Sequence, residues 1–503
     1  MKKRTIIFWV IIIVGIALRI YNFPTLLQEM NGDEIMTVVN AKAIAETGKD
    51  IGGISFPVYL HGWGGQSVVL LYLMALSIKI FGYTLFAIRL PILLVSIISL
   101  FVFYDLVKKL TKNQDIALIG LTLVAFCPWQ ILQSVWALDC NMFPHFLLFA
   151  IDIFYTGITK YKKSILYMSM VFFAISLYCY GIAIYFVPIF LLVMAIYLIK
   201  NKEVTIKNII ICIAIFLILA SPLVTMFAKN VLKIEENIQI GPITIPYYES
   251  LSRKQDMVFF SPELLQQLWK NINSTLKVII AQTDGAEWNS PKLFGATYRV
   301  TIIFAVVGII KTIKDLKQDK RNTSSVMLIT WLSTSILTGF IVNEANINRL
   351  NSIWYCLLIL AGIGIYAGFQ KIKYKKVYAI CVSILYTAIF IAYTIYFYGY
   401  YTEVVDQSGT FSRGFFQSLN YVETLDQKTV LYDNIKNDGC LELYIQFNHD
   451  ENKEYKEIRD ENELKEKIKN IGEDEVLILD IEKKQYENVE NSHQIGDFLV
   501  IAK

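Results

Sequence analysis

The chain has 503 residues, of which 55% are hydrophobic and only 18% are charged, and its formal net charge is +4. A soluble globular domain carries about 25% charged residues. The composition therefore excludes an ordinary soluble enzyme. Apolar runs of membrane-spanning length recur almost to residue 400, which indicates an integral membrane protein.

The first predicted element is an uncleaved membrane span at 5–22. Lys2, Lys3 and Arg4 precede it, no small-residue cleavage site follows it, and Arg19 interrupts it. These basic residues predict that the N-terminus lies in the cytoplasm. The residue usage suggests a bacterial protein, so we expect a multi-pass protein of the bacterial cytoplasmic membrane.

Ten further spans follow the first. The eleven predicted spans are 5–22, 86–107, 115–134, 143–158, 164–179, 182–199, 208–226, 298–312, 325–342, 350–368 and 377–398. With the N-terminus inside, every connecting segment on the cytoplasmic side is basic: 1–4, 108–114, 159–163, 200–207, 313–324 and 369–376. This is the charge bias that sets membrane orientation.

Segment 66–82 is apolar enough to be taken for a span. A crossing there would place all later lysine clusters outside, and each basic residue contributes about 1 kcal/mol to the orientation. We therefore predict that this segment is a helix that lies at the outer interface or dips into the membrane.

Four polar segments then face outward, and oddly placed charges lie in them. Asp33 and Glu34 follow the first span, Asp139 follows the third, and Arg349 precedes the tenth. Adjacent carboxylates at the mouth of a membrane helix are costly unless they meet water, a cation or a substrate. The outward segments are 23–85, 135–142, 227–297 and 343–349.

Each of these residues also has a plain structural interpretation. Asp33 or Asp139 is able to cap a helix, and Arg349 is able to reach lipid headgroups. Arg89, at the start of the second span, is typical of an interfacial anchor, and a polar loop histidine such as His61 is usually just solvated.

The composition changes after residue 400. Residues 403–503 contain 23 acidic and 12 basic residues, a net charge of −11. Short apolar runs at 429–432, 475–480 and 498–501 predict strands, and 461–470 predicts a solvated helix. We therefore divide the chain into a membrane domain at 1–400 and a small extracytoplasmic α/β domain at 401–503, which either caps the protein or grips an acceptor or partner.

The motifs in the membrane domain resemble those of the GT-C glycosyltransferases, in the branch that includes the protein O-mannosyltransferases and the lipid A aminoarabinose transferase. The resemblance covers about residues 5–400. It is carried by Arg19 followed by Asp33–Glu34, and by the segments 81–91, 136–139, 285–289 with 294–295, and 348–350. One departure concerns the residue before the second aspartate, where members often carry arginine and this chain has Leu138.

The resemblance implies an α-helical polytopic membrane enzyme of the EC 2.4 class. It would move a sugar from a polyprenyl-phosphate donor to an acceptor hydroxyl on a protein, lipid or glycan, at the outer face of the membrane and with inversion at the anomeric carbon. Membrane lipid is then a further partner, and no feature of the sequence points to nucleic acid.

The residue types suit that chemistry. We expect Asp33 to act as general base, Glu34 to orient the acceptor or share a cation, and Asp139 to position Asp33 or the acceptor. Arg349 is the first choice for the donor phosphate, because an arginine fork neutralises phosphate well. Arg89 and His61 are further candidates for the donor phosphate, and Trp288 and Glu287 for contact with sugar or acceptor.

A divalent cation, Mg²⁺ or Mn²⁺, is an open alternative, since Asp33, Glu34 and Asp139 offer hard oxygen ligands. The seven cysteines include no CxxC pair, and the four histidines are scattered, so the sequence predicts neither a disulfide framework nor a zinc site.

Three other functions remain open: a transporter or flippase, a polysaccharide polymerase or ligase of another fold, and a membrane scaffold that displays the C-terminal domain. A transporter places charges near the bilayer midplane and often contains inverted repeats. Here the centres of the predicted spans are nearly free of charge, with Asp152 as the main exception, and no repeat is visible.

Overall fold

The computed structural model describes residues 2–26, 30–61, 65–248, 258, 263–406, 414–433, 453–458, 460–480, 491–496 and 498–503. Within these ranges the chain is mostly helical up to Gly399 and ends in a small sheet.

The helices are numbered here in chain order. They are α1 (Lys2–Ile20), α2 (Gly32–Thr47), α3 (Val69–Phe81), α4 (Leu85–Thr111), α5 (Gln114–Phe126), α6 (Pro128–Val135), α7 (Asp139–Thr159), α8 (Lys163–Leu177), α9 (Ala183–Lys200), α10 (Ile206–Leu232), α11 (Leu264–Ala281), α12 (Thr301–Gln318), α13 (Thr323–Ile341), α14 (Trp354–Lys371), α15 (Lys375–Gly399), α16 (Tyr401–Asp406), α17 (Phe415–Glu423) and α18 (Glu461–Lys469).

Each of the eleven predicted spans coincides with a helix, one of them broken in two. Seven of the described helices are long and apolar enough to cross a membrane, or eight if the broken pair counts as one span. The difference from eleven has simple causes: α8 is only 15 residues long, and α1 and α12 carry several lysine or arginine residues near one end. The chain is a multi-pass membrane protein.

The predicted span 115–134 is not one helix. It breaks into α5 and α6, whose axes differ by 52°. Pro128 has no backbone N–H to donate and disfavours helical geometry at the residue before it. Cys127 accordingly lies in the extended region, with φ −81° and ψ 147°. The break allows α6 to change direction relative to α5. This short helix is buried along its whole length.

The predicted interfacial segment 66–82 forms α3. Its 13 residues extend about 20 Å, which is short of the roughly 30 Å of a hydrocarbon core. Leu70 and Leu71 are fully buried, whereas Leu76 and Ile80 are exposed. The short helix therefore packs one face against the bundle.

Two glycines allow α12 and α14 to pack closely. A Cβ atom added at Gly308 would lie 1.8 Å from the carbonyl oxygen of Leu360, and one at Gly364 would lie 1.9 Å from that of Phe304. Small residues permit such backbone approach between membrane helices. This contact fixes α14, which follows the loop that carries Arg349.

The strands form two sheets. Residues Ile238–Ile240 (β1) and Ile243–Ile245 (β2) pair antiparallel. The C-terminal sheet has the order β4-β3-β5-β7-β6, in which β3 is parallel to β4 and β5, and β7 is antiparallel to β5 and β6. Its strands are β3 (Thr429–Asp433), β4 (Glu454–Ile458), β5 (Glu475–Asp480), β6 (Ser492–Ile495) and β7 (Phe498–Ala502). The α/β character predicted for this region is confirmed.

Candidate active site

The site begins at the first turn of α2. Asn31 caps this helix, because its side chain accepts a hydrogen bond of 2.9 Å from the backbone N–H of Glu34. Carboxylates are favoured in a first helical turn. The two acids that occupy it have opposite environments: Asp33 is exposed and Glu34 is fully buried.

Glu34 forms a buried ion pair with Arg89 of α4. The Arg89 Nε donates to Glu34 Oε1 at 2.9 Å, and Nη2 donates to Oε2 at 3.0 Å. Both side chains have 0% exposure. The backbone N–H of Ala137 also donates to Glu34 Oε1, at 3.3 Å. The pair therefore joins α2, α4 and the loop before α7.

This geometry shows what two of the predicted site residues contact. Arg89 was predicted to be an interfacial anchor or a phosphate contact, but its guanidinium is buried against Glu34 and the carbonyl oxygen of Pro24 (2.8 Å). Glu34 was predicted to orient the acceptor, but its carboxylate oxygens already accept three hydrogen bonds. Both residues support the first turn of α2, in which Asp33 lies.

Asp139 lies near Asp33 although 106 positions separate them in the sequence. The backbone N–H of Ser67 donates to Asp139 Oδ2 at 3.1 Å, and the preceding Gln66 donates from Nε2 to the carbonyl oxygen of Asp33 at 3.2 Å. Both carboxylates are close enough to the Cys140 thiol to interact with it electrostatically. Asp33 and Asp139 therefore contact two consecutive residues, Gln66 and Ser67, in the segment before α3.

The loop that carries Arg349 is tied to the same place through Asn351. The Asn351 side chain accepts from Trp129 Nε1 at 3.0 Å and from Gln133 Nε2 at 2.8 Å. It also donates to the carbonyl oxygen of Cys140 at 2.9 Å. This buried amide therefore connects α6, the start of α7 and the loop before α14.

Arg349 is half-buried at the surface of this loop. Its guanidinium donates to the carbonyl oxygens of Asn343 and Glu344, and its backbone N–H donates to Asn346 Oδ1 at 2.8 Å. The loop is thus folded on itself around the arginine, near Asn351.

A second loop packs onto the first through Asp284. Asp284 Oδ2 accepts from Asn289 Nδ2 at 2.8 Å and from the backbone N–H of Ile347 at 3.0 Å. Asn348 Nδ2 donates to Asn289 Oδ1 at 2.8 Å. The segments 285–289 and 348–350, which carry the family resemblance, therefore lie side by side.

Glu287 and Trp288 project from this loop toward α15 and α16. Glu287 Oε2 accepts from the backbone N–H of Lys292 at 2.8 Å, and burial raises the pKa of its carboxyl. Trp288 is half-buried and packs against an apolar cluster that includes Phe294 and Tyr401. Their surroundings give both residues a packing role, whereas contact with sugar stays a prediction.

His61 lies in the segment between α2 and α3. Its exposed ring lies 5.0 Å from that of Tyr248, and it interacts electrostatically with Asp50 beyond the far end of α2. Leu60, the residue before it, exchanges backbone hydrogen bonds with Gln66. The hairpin that carries His61 is therefore the one that contacts Asp33.

The predicted ligands of a divalent cation lie in different environments. Among the described residues, no group of three or more His, Cys, Asp and Glu side chains is arranged to hold a metal ion. Glu34, one of the three predicted ligands, is committed to Arg89.

Arg19, the arginine of the first span, lies fully buried behind the site. Its Nε donates to Gln130 Oε1 at 2.7 Å and its Nη1 donates to the carbonyl oxygen of Ala125 at 3.0 Å. The break after α5 leaves carbonyl groups such as that of Ala125 without a helical partner, and a cation is favoured at such a C-terminus. Arg19 thereby stabilises the turn into α6.

The site residues that the sequence did not single out are Gln66, Gln130 and Asn351. Asn351 follows the 348–350 motif directly, which was the one available signal. The others are ordinary polar residues within apolar segments, and only the folded chain shows what they contact.

Two comparisons with known proteins bear on this arrangement. Residues 66–225 match the family described as dolichyl-phosphate-mannose-protein mannosyltransferase. No curated protein matches the chain by sequence.

Solved structures match nearly the whole chain. ArnT from Cupriavidus metallidurans bound to undecaprenyl phosphate has a TM-score of 0.56 at 11% identity, over 98% of this chain and 97% of that chain. The archaeal oligosaccharyltransferase AglB from Archaeoglobus fulgidus, in complex with an inhibitory peptide and a dolichol-phosphate, has a TM-score of 0.52 at 12% identity, over 96% and 70%. The chain therefore has the GT-C fold that these two structures share, and residues 66–225 match the mannosyltransferase family model.

Proposed function

We propose that the protein is an inverting glycosyltransferase that moves a sugar from a polyprenyl-phosphate carrier to an acceptor hydroxyl, with Asp33 as the general base. The observation that carries the proposal is the contrast at the start of α2. Glu34 is locked in a buried ion pair, whereas the adjacent Asp33 is exposed and lies near Asp139.

The reaction needs a base for the acceptor hydroxyl, stabilisation of the positive charge that develops on the sugar, and a leaving group. Asp33 accepts the proton of the acceptor hydroxyl as the oxygen attacks C1 of the sugar. The bond from C1 to the phosphate oxygen breaks, and its electron pair leaves with the polyprenyl phosphate. Nearby carboxylates such as Asp139 stabilise the oxocarbenium-like transition state, and Arg349 neutralises the departing phosphate.

The donor class is supported by the matching structures, since one is bound to undecaprenyl phosphate and another to a dolichol-phosphate. In this proposal the acceptor hydroxyl belongs to a protein, a lipid or a glycan. The enzyme works at the outer face of the bacterial cytoplasmic membrane, with its N-terminus inside and residues 401–503 outside.

The other predicted site residues take supporting roles. Arg89 and Glu34 position the start of α2. His61 lies in the hairpin beside Asp33 and is a second contact for the donor phosphate. Glu287 and Trp288 belong to the loop that contacts the Arg349 loop, and in this proposal they are the candidate contacts for the acceptor or the sugar.

Proteoliposomes test the reaction class. The protein is reconstituted with radiolabelled polyprenyl-phosphate-sugar, and glycoside product and transbilayer movement of label are measured separately. Glycoside formation supports the proposal. Movement of label without a glycoside would establish the alternative function of a transporter or flippase and overturn the proposed reaction.

A further inference from the structure

A polar cavity lies at the end of the bundle opposite the candidate active site, and an apolar groove runs beside it along α5, from Asp115 to Phe126. α14 begins just after the Arg349 loop and ends at Lys371; its 18 residues place the two ends about 27 Å apart. One cavity is polar and has a volume of about 350 Å³. The other is an apolar groove of about 520 Å³.

The polar cavity is lined by groups that suit an anion. Lys311 of α12 and Lys371 of α14 line it together with the amide of Gln370 and the start of α13 at Asn322. Asp315 also lines it and forms an ion pair with Lys311, so the two lysines and this one acid leave a positive lining. Ammonium groups and amide N–H groups are the donors that a phosphate accepts.

The apolar groove lies between α5, α14 and α15. Phe369, Tyr378, Val382 and Phe390 are among its lining residues. Tyr393 and Phe397 are the buried residues of α15. Most of this membrane helix is therefore exposed on the surface of the bundle, where it faces the bilayer. A groove walled by such a helix is open to lipid chains.

α14 and α5 connect the two cavities. Tyr366 lines both of them, and on α5 the neighbouring residues Asp115 and Ile116 line one each. Asp115 is paired with Arg4 at 2.8 Å, so the carboxylate at this junction is neutralised. A positive pocket that adjoins an apolar groove has the shape and polarity of a phospholipid.

We propose that this end of the bundle binds one anionic glycerophospholipid, with its phosphate between Lys311 and Lys371 and one acyl chain in the groove. Basic pockets between membrane helices bind anionic headgroups in this way. The site is separate from the proposed donor site, because its phosphate position is at the opposite end of α14. It does not depend on the proposed function.

Binding of phosphatidylglycerol to the delipidated full-length protein tests the site, with phosphatidylcholine as the neutral probe, by native mass spectrometry. The double variant K311A/K371A should weaken phosphatidylglycerol binding about 25-fold, since each basic group near a lipid surface contributes about fivefold. The matched control is K314A/K376A, which removes one lysine from α12 and one from the first turn of α15, neither of which lines the pocket.

Loss of binding in K311A/K371A alone, with a preference for phosphatidylglycerol over phosphatidylcholine, supports the proposal. Equal loss in both variants, or no preference between the two lipids, overturns it. Loss of polyprenyl phosphate binding instead of phosphatidylglycerol binding would assign the pocket to the donor and also overturn it.

A second measurement uses the wild-type protein. Photoreactive phosphatidylglycerol should label peptides that contain 363–371, in competition with unlabelled phosphatidylglycerol but not with phosphatidylcholine. Labelling confined to helices that line neither cavity would contradict the site even if the lysine variants fail to fold.

Discussion

At the scale of single residues, the proposed mechanism requires different roles for the neighbouring acids Asp33 and Glu34. Glu34 is buried and shares a bidentate ion pair with Arg89, whereas Asp33 is exposed beside it. A buried pair fixes geometry but does not necessarily stabilise the fold, because both charges lose their hydration. We therefore interpret the pair as a structural support that fixes the first turn of α2, in which Asp33 lies.

This support is testable through stability. Glu34→Gln leaves the Arg89 cation buried without a counter-charge, and we expect the free energy of unfolding to fall by about 3–5 kcal/mol. The double variant E34M/R89M should recover much of this loss. Thermal unfolding in detergent measures both.

The chain offers a matched control in the pair Arg4–Asp115, whose side chains are 51% and 41% exposed. D115N should change the free energy of unfolding by only about 0–1 kcal/mol. Equal effects of E34Q and D115N would contradict the structural role of the buried pair.

Glu287 makes a prediction about pH. Burial raises the pKa of its carboxyl above the ordinary value of 4.5, so the folded state binds more protons than the unfolded state between these two pKa values. The contribution of Glu287 to stability is therefore highest below pH 4.5 and declines as pH rises through the raised pKa.

The variant E287Q should remove this decline, which unfolding temperatures measured across the acidic range will detect. E46Q, which changes an exposed carboxylate on α2, should keep the wild-type slope. A wild-type slope in E287Q would refute the assignment.

At the scale of elements, hydropathy was sufficient to locate the eleven predicted spans. All eleven predicted spans coincide with helices, because length and apolar content are local properties. One feature was not local. The turn between α5 and α6 needed both Pro128 and the buried Arg19 to stabilise it, and only the fold brings Arg19 to Ala125.

The candidate site was predictable in part for the same reason. Asp33 and Asp139 were singled out by their unusual positions next to apolar runs, and they lie near each other in the structure. The partner of Arg89 was not predictable, since Glu34 is 55 positions away and nothing in the sequence records their contact.

The hub at Asn351 tests how the elements cooperate. N351L removes three hydrogen bonds between α6, α7 and the Arg349 loop. We expect sugar transfer to fall by up to about 100-fold, because a displacement of about 1 Å in a catalytic constellation has that effect.

The control is N208L, which removes a buried asparagine that accepts one bond from Tyr167 on a different pair of helices. It should lower the unfolding temperature and leave the transfer rate per folded molecule unchanged. If N208L reduces transfer as much as N351L does, Asn351 has no particular link to the site.

At the scale of the whole molecule, the proposed orientation predicts that the two ends of the helical bundle differ in charge and in access from outside the cell. The acid cluster and the Arg349 loop lie at one end of the bundle. Basic loops such as 159–163 lie at the other end, because the 21-residue helix α7 separates Asp139 from this loop. In a variant without native cysteines, D33C should react with a membrane-impermeant maleimide on intact cells. K162C should react only after the membrane is opened, and the reverse pattern would contradict the orientation.

The most direct test of the account is the transfer rate of D33N in proteoliposomes, per correctly inserted molecule, with E46Q on the same helix as its control. General base catalysis contributes about 100-fold to 10,000-fold, so D33N should lose at least about 100-fold in kcat while E46Q keeps the wild-type rate. A D33N protein that is inserted normally and transfers sugar at the wild-type rate would contradict the assignment of Asp33 as the base.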